Sequence, residues 1–527
     1  MEQPMKFSMP MMNDFVPERL RPWLYVFIAL CFQISGARYL GPLNEIIGAD
    51  SNMREDVLMC MYCNLGGMAI WFPMLFRMKF RFTNKTLLTA SSIVVIITNY
   101  LTAYVTFLPL LWAICFIEGI AKIQGTFECM SNIQLWMTPR RDFRVFFPIL
   151  HIIILSSICI QDLLSSWFGY IGDWRLMHSL VIGLQLIVLL ILTTCVHHFR
   201  FMKLPLYGID WTGMVLWIAL LLQLAYLLDY GDWYSWYNHS QTWYITGFAL
   251  LTFGIILFRM KTVRHPYISP RVFTGFANVK PILVLVVIAE AILGTEYVLE
   301  EIFLESGLHY NSLVNSYLVW PVWIGNTSGC LFSLAWLLKI KSYPYIRLGI
   351  VGTISLSAYI ILMYLLVSPQ LNIEKLYLPL LFRGFAYACL SIMFMISLHD
   401  SMDFHHFFQG LSVFNMLHMI IGGCVGCALY AHGISHYVAS LLSRYGVYVD
   451  QVRWGILRIR ETPGQFMGEF IDSILCMSVK SVYGWVAYAC LTLLACFLMF
   501  DSPIRRQHPH LMQPWSKVGR RLKKHLY

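Results

Sequence analysis

Ionisable residues set deep in apolar sequence are the places where this chain can do chemistry. In CFIEGIAKIQGTFEC, residues 115–129, Glu118 and Lys122 stand four apart with the acid nearer the start. That is the order in which an acid and a base meet on one helical face. In AEAILGTEYVLEEIF, residues 289–303, Glu290, Gly294, Tyr297 and Glu301 fall at i, i+4, i+7 and i+11. This spacing puts two carboxylates and a phenol on one stripe, which calls for water or a cation. Asp162 has no opposite charge near it in sequence, so its partner must come from another helix. Arg38 and Arg383 are, with Lys122, the basic residues inside the expected helices. An ionised group at bilayer depth costs about 2.5–3.5 kcal/mol even on lenient scales, so each is expected to be paired or turned to a wet interior. Two readings of Glu118 and Lys122 fit: a locked pair that ties helices together, or a pair lining a cavity. A carboxylate whose partner changes between states is what proton coupling requires, which makes Glu290, Asp162 and Glu118 the coupling candidates. Lys122, Arg38 and Arg383 are the counter-charges, and Tyr297 and Glu301 are cavity residues. Glu128 is expected to be hydrated at an inner mouth, Glu300 and Glu301 also read as residues of the outer headgroup zone, and His151 and His418 are expected to pack as hydrogen-bonded residues.

The elements that must position these groups follow from composition. Of 527 residues, 58% are hydrophobic and 13% charged. A soluble domain does not cover that much apolar surface, so a polytopic all-α membrane protein is expected. Apolar stretches long enough to cross a bilayer recur from Pro22 to Phe500. They are expected as fourteen helices near 22–41, 57–76, 87–107, 109–135, 145–168, 176–196, 211–229, 241–259, 281–303, 314–338, 348–367, 376–398, 408–432 and 483–500. Most of the 38 Lys and Arg then fall in segments on the amino-terminal side of the membrane, which predicts that both termini are cytoplasmic. The net charge of +10 is explained by contact with anionic headgroups, and nucleic acid is not needed as a partner. MEQPMKFSMPMMNDFVPERLRP lacks the apolar core of a removable signal, so the first helix is expected to direct insertion. The segment 433–482 reads as a long outer loop, forming either an amphipathic helix on the leaflet or a docking surface. CMYC (60–63) and CVGC (424–427) lie inside helices with no second ligand pair, so they read as packing rather than a metal site.

From Trp174 onward the pattern WRLMHSLVIG, then YGIDWTGMVLWIALLLQLAYLLDYGDWYSWYNHSQTWYITGFALLTFGIILF, then HPYISPRVFTGFANV resembles the fourteen-span EmrB/QacA-type drug:proton antiporters of the major facilitator superfamily. RGFAYACLSIMF (383–394), QGLSVFNMLHMIIGGCVGCAL (409–429) and SVKSVYGWVAYACLTLL fit the same branch. The resemblance implies two six-helix bundles around a central cavity, an inserted helix pair, and alternating access by rocking of the halves. It divides the chain into a cytoplasmic segment 1–21, a first bundle 22–196, the inserted pair and linker 197–280, a second bundle 281–500, and a basic tail 501–527. Aligned with family positions, Gln33 and Gln161 become cavity candidates, Arg81 and Lys85 gating-loop candidates, and Arg383-Gly384 the pseudo-repeat counterpart of Glu118-Gly119. The implied activity is proton-coupled export of amphipathic or cationic small molecules across a plasma or inner membrane. No cofactor is implied, and the partners are substrate, protons, lipid and, in a double-membrane host, a periplasmic adaptor and outer-membrane channel. A metabolite carrier of the same fold is the alternative. HDSMDFHHF (399–407) raises a membrane oxygenase, but the spaced histidine boxes of such enzymes do not occur.

Overall fold

Apolar runs punctuated by capping residues fold as helices. Thr83 accepts from the Thr86 amide and Asp142 from the Arg144 amide, each filling one of the orphan donors that open a helix. The computed structural model describes residues 9, 11–36, 43–50, 53–138, 142–199, 206, 208–276, 278–339, 344–446 and 463–501. In order these form α1 (Arg21–Ile34), α2 (Leu43–Asp50), α3 (Arg54–Arg81), α4 (Asn84–Tyr104), α5 (Leu108–Met137), α6 (Phe143–Ile171), α7 (Leu176–Cys195), α8 (Trp211–Asp229) and α9 (Ser240–Thr262). They continue as α10 (Arg271–Thr274), α11 (Val279–Leu293), α12 (Ser312–Ser316), α13 (Val319–Lys339), α14 (Pro344–Leu366), α15 (Tyr377–Ser401), α16 (Phe404–Met416), α17 (Gly422–Gly446) and α18 (Pro463–Asp501). Among the described residues the only β pairing is an isolated bridge between Met12 and Val196.

Twelve of these helices are long and apolar enough to cross a membrane, against the fourteen expected. α1 is apolar but has 14 residues, and the continuation expected up to residue 41 lies outside the described residues. α13 carries Asn326, Thr327 and Ser328 at its middle and falls short of that apolarity. The segment 433–482 departs from the expected outer loop. α17 runs on to Gly446 and α18 already begins at Pro463, so helix stands where a loop was expected, with 447–462 outside the described residues.

The helices sort into two bundles. α1 and α3 to α7 pack together, as do α11 and α13 to α18, and the two sets meet where α3 lies on α16 and α6 on α13. Each bundle contains helices that approach closely through glycine. A Cβ on Gly119 of α5 would sit 2.0 Å from the Asn64 carbonyl oxygen of α3, and one on Gly384 of α15 would sit 2.4 Å from the Val322 oxygen of α13. Glu118 and Arg383, the residues before these glycines, therefore hold matching places in the two halves.

The inserted pair α8–α9 lies against α3 and α17, one from each bundle. The Asp-Trp-x-Gly motif explains how it begins. Asp210 caps α8 by accepting from the Gly213 amide at 2.9 Å, and Arg259 of α9 donates to the same carboxylate at 2.7 Å. A Cβ at position 213 would meet that carboxylate at 2.1 Å, which is why glycine stands there. The linker after α9 docks on both bundles, with the Tyr267 hydroxyl donating to the Ile70 carbonyl and the Ser269 amide to Gln409 Oε1 at 3.1 Å.

Candidate functional site

A cavity of about 670 Å³ lies between the bundles, walled by α3, α5, α6, α11, α13, α15 and α16. Its two ends differ in chemistry. Toward the end where α3 finishes, aromatic rings close in: Phe76 meets Phe408 at 4.4 Å, Phe127 at 5.1 Å and Phe404 at 5.6 Å, each edge to face. Behind them Lys79 pairs with Glu128 at 3.3 Å, and Asn84 donates to the same carboxylate at 2.9 Å. Glu128 is 1% exposed, so it is a buried partner of Lys79 and not a hydrated residue at a mouth.

Toward the end where α3 begins, the wall is acidic and comes largely from one helix. α11 continues beyond Leu293 through π turns at Glu296–Glu300 and Ile302–Gly307. A π turn takes more residues per turn than an α turn, so it widens the set of side chains that face one way. The expected stripe of Glu290, Gly294, Tyr297 and Glu301 lines the cavity, and Glu296, Glu300 and Glu305 join it.

These acids are individually partnered. His418 Nδ1 lies 2.7 Å from Glu290 Oε1, with the Tyr387 ring parallel to the imidazole at 6.0 Å. His418 sits on a π turn of its own, Leu417–Ile421, and Gly422 lets α17 approach: a Cβ there would lie 2.4 Å from the Glu290 Cβ. Arg383 donates to Glu300 at 2.6 Å and lies 3.5 Å from Glu296, while the Tyr359 hydroxyl donates to Glu300 from the other side. Glu300 is thus buried against a guanidinium rather than placed among headgroups. Arg54 crosses from the first bundle to the second. It donates to Glu301 at 2.6 Å and 3.3 Å and to the Tyr297 carbonyl at 2.5 Å.

The residues singled out from sequence fall into three groups. Glu290, Asp162, Arg383, Tyr297, Glu301 and Gln33 line the cavity, Gln33 donating to Thr126 Oγ1 at 3.0 Å. Glu118, Lys122 and Gln161 do not line it, which corrects the cavity reading of these three residues, although α5 itself is a wall through Ile123, Thr126 and Phe127. Glu118 accepts from Asn99 of α4 at 2.6 Å and from the Gly36 amide, and Lys122 acts on it electrostatically. The Lys122 ammonium donates to the Ser35 carbonyl, and Gln161 donates to the Gly36 carbonyl at 2.9 Å. The cause is the end of α1. The chain leaves the helix at Ser35 and turns at Gly36 with φ of +123°, so carbonyls that lose their helical donors are satisfied by α5 and α6. Arg38 lies outside the described residues.

Of the gating-loop candidates, Lys85 donates to the Val196 carbonyl at 2.7 Å and the Thr193 carbonyl at 3.3 Å, closing the end of α7. Arg81 ends α3, half-buried. Sequence reasoning missed His418, Lys79 and Arg54 as site residues. The available signal was charge balance: five acids on one helix need bases from elsewhere, and Arg54 and Lys79 stand at the two ends of one apolar run. Among the described residues no three His, Cys, Asp or Glu side chains converge as metal ligands. His399 instead lies against Phe143, the rings tilted and 4.1 Å apart at their centres, and pairs with Asp400 at 3.0 Å.

No family model matches the sequence, and no curated protein matches it. Solved structures do match in fold. A variant of the nucleoside transporter NupG is 15% identical with a TM-score of 0.55, covering 92% of this chain and 100% of its own. The human organic anion transporter MFSD10 is 9% identical with a TM-score of 0.51, covering 90% and 100%. A variant of the peptide transporter POT, in complex with sulfate, is 14% identical with a TM-score of 0.58, covering 93% and 96%. The chain has the fold these transporters share, which is the major facilitator architecture expected from its sequence.

Proposed function

We propose that this protein is a secondary active transporter that exchanges protons for amphipathic, cationic small molecules by alternating access of the cavity between its two bundles. The observation that carries this reading is the cavity's division into an acidic wall on α11 and an aromatic box around Phe76. A flat apolar cation fits both, its body against the rings and its charge toward the carboxylates. Proton and cation compete for the same acids, because a neutralised carboxylate no longer attracts the cargo and an occupied one no longer takes the proton. Such competition is sufficient for exchange, provided each ligand favours a different arrangement of the bundles.

In this reading Glu290 and Asp162 carry the proton, with His418 as the first partner of Glu290 and Arg383 as a fixed counter-charge. Arg38 and Lys122 are assigned as counter-charges, and Glu118 as the acid that holds the end of α1 in place. Arg81 and Lys85 are assigned to the loop that flexes as the bundles rock. Both termini are cytoplasmic in this assignment, so the Arg54 end faces outward and the Phe76 end inward. Membership of the fourteen-span EmrB/QacA-type branch, an inner-membrane location, and a periplasmic adaptor with an outer-membrane channel belong to the same proposal.

A test uses proteoliposomes holding a trapped pH indicator under an imposed proton gradient. Tetraphenylphosphonium is expected to collapse the gradient faster in the presence of the protein, whereas nucleosides, dipeptides and organic anions leave it unchanged. Collapse by one of those solutes, with no response to the cation, would replace export of cations with metabolite carriage.

A further inference from the structure

Asp229 ends α8, and its place there is unfavourable on local grounds. A carboxylate at the last turn of a helix meets the negative end of the helix dipole. Two more acids, Glu55 and Asp56, act on it from the start of α3. Its Oδ2 atom is sealed from solvent and has no hydrogen-bond partner. Among the described residues the one cation that acts on it is Arg54, and the two groups are not in ion-pair contact. Arg54 is instead committed to Glu301 and the Tyr297 carbonyl across the bundle interface.

The neighbouring contacts hold this acid beside that cation. The hydroxyl of Tyr230, the next residue, donates to Asp56 Oδ1, and Asp56 Oδ2 in turn accepts from the Met53 amide at 3.1 Å, one residue before Arg54. The end of α8 is therefore fastened to the first turn of α3. Among the described residues, Tyr230, Tyr62 of α3, and Cys424 and Cys427 of α17 are the other titratable groups that feel its charge. None of them supplies positive charge.

We infer that Asp229 is a second seat for Arg54: when the bundles part at this end and the guanidinium leaves Glu301, it moves to Asp229, so the inserted helix pair stabilises the open arrangement. A half-buried guanidinium released without a partner would resist opening, since unpaired charge in a low-dielectric setting is costly. A waiting carboxylate removes that resistance and is itself satisfied by the move. Asp229 acts through Arg54 and is a positioning residue.

The inference rests on the alternating-access reading, and hydrogen exchange on the full chain in lipid nanodiscs tests the two separately. Glu301→Gln is expected to raise amide exchange in segments 54–62 and 297–305 by about tenfold, a typical size for a coupling between states. If it does not, this end is no gate and the seat falls with it. Adding Asp229→Asn to Glu301→Gln is expected to lower exchange again by a similar factor, because the open arrangement loses its second seat. A merely structural Asp229 gives the opposite sign, since loosening the end of α8 raises exchange nearby. Unchanged or increased exchange in the double variant overturns the inference while leaving the gate intact. In an Arg54→Gln background Asp229→Asn should have no effect, and an undiminished effect there overturns it as well. Asp229→Glu, which keeps the charge, should behave as the parent does.

Discussion

Arg383 is the most informative single residue to perturb. Its side chain is 8% exposed and meets two carboxylates of α11, Glu300 at 2.6 Å and Glu296 at 3.5 Å. Arg383→Met fills similar volume but leaves both acids without their cation, on the same π turn and close to one another. Breaking a buried pair in this way costs about 3–5 kcal/mol, most of it from the uncompensated charge that remains. Glu300→Gln is different in kind. The amide oxygen still accepts from Arg383, and Glu296, which is 37% exposed and so already partly hydrated, keeps the guanidinium neutralised. Its cost should stay near that of one weakened charge-assisted hydrogen bond, about 1.5–3 kcal/mol. The double variant Arg383→Met/Glu300→Gln removes the buried anion together with the cation and should be more stable than Arg383→Met alone. Unfolding free energies in mixed micelles titrated with a denaturing detergent provide the measurement, read as a double-mutant cycle. Additive costs, or a double variant weaker than Arg383→Met, would refute the claim that residual charge rather than lost packing sets the penalty.

Two further predictions concern the scaffold. Gly119→Ala places a methyl 2.0 Å from the Asn64 carbonyl, so α3 and α5 must part; a loss of about 1–3 kcal/mol is expected in the same unfolding assay, and no loss would contradict the close approach. Burial pushes the Asp210 carboxyl up, but the Arg259 guanidinium and the Gly213 and Tyr267 amides outweigh it and hold the group below the ordinary carboxylate range. A depressed folded value means that its contribution is present at neutral pH and is lost as pH falls from the ordinary carboxylate range through the depressed one. Protease cleavage of the linker after α9 should therefore accelerate on acidification in the parent, and Asp210→Asn, which keeps the cap but loses the charge, should flatten that dependence. Equal acid sensitivity in both proteins would remove Asp210 as the cause.

Much of this architecture was legible because its signals are local. Twenty-residue apolar runs marked the helices. Through the family resemblance the stretch Asp210-Trp211-Thr212-Gly213 marked the start of the inserted pair, and the 3.6-residue period put Glu290, Tyr297 and Glu301 on one face. What was not legible depends on departures from regular helix. A period count assumes α geometry, and the π turns of α11 bring Glu296 and Glu300 to the face that the count had left to others. Glu118, Lys122 and Gln161 were drawn aside by the break at Ser35-Gly36, whose freed carbonyls needed donors from neighbouring helices. His418 looked like packing because nothing in its own helix shows that Glu290 stands opposite. The extensions of α17 and α18 were hidden because polar residues outside the lipid zone continue a helix as readily as they form a loop.

The central claim is that protons on Glu290, held beside His418, and on Asp162 drive exchange through the interbundle cavity, with Glu290 indispensable. It is tested most directly by tetraphenylphosphonium flux in proteoliposomes, comparing parent and Glu290→Gln with and without an imposed proton gradient. The claim predicts that the gradient accelerates flux in the parent by at least tenfold and has no effect in Glu290→Gln, which should still exchange labelled for unlabelled cation at equilibrium. Gradient-driven flux retained in full by Glu290→Gln would contradict it.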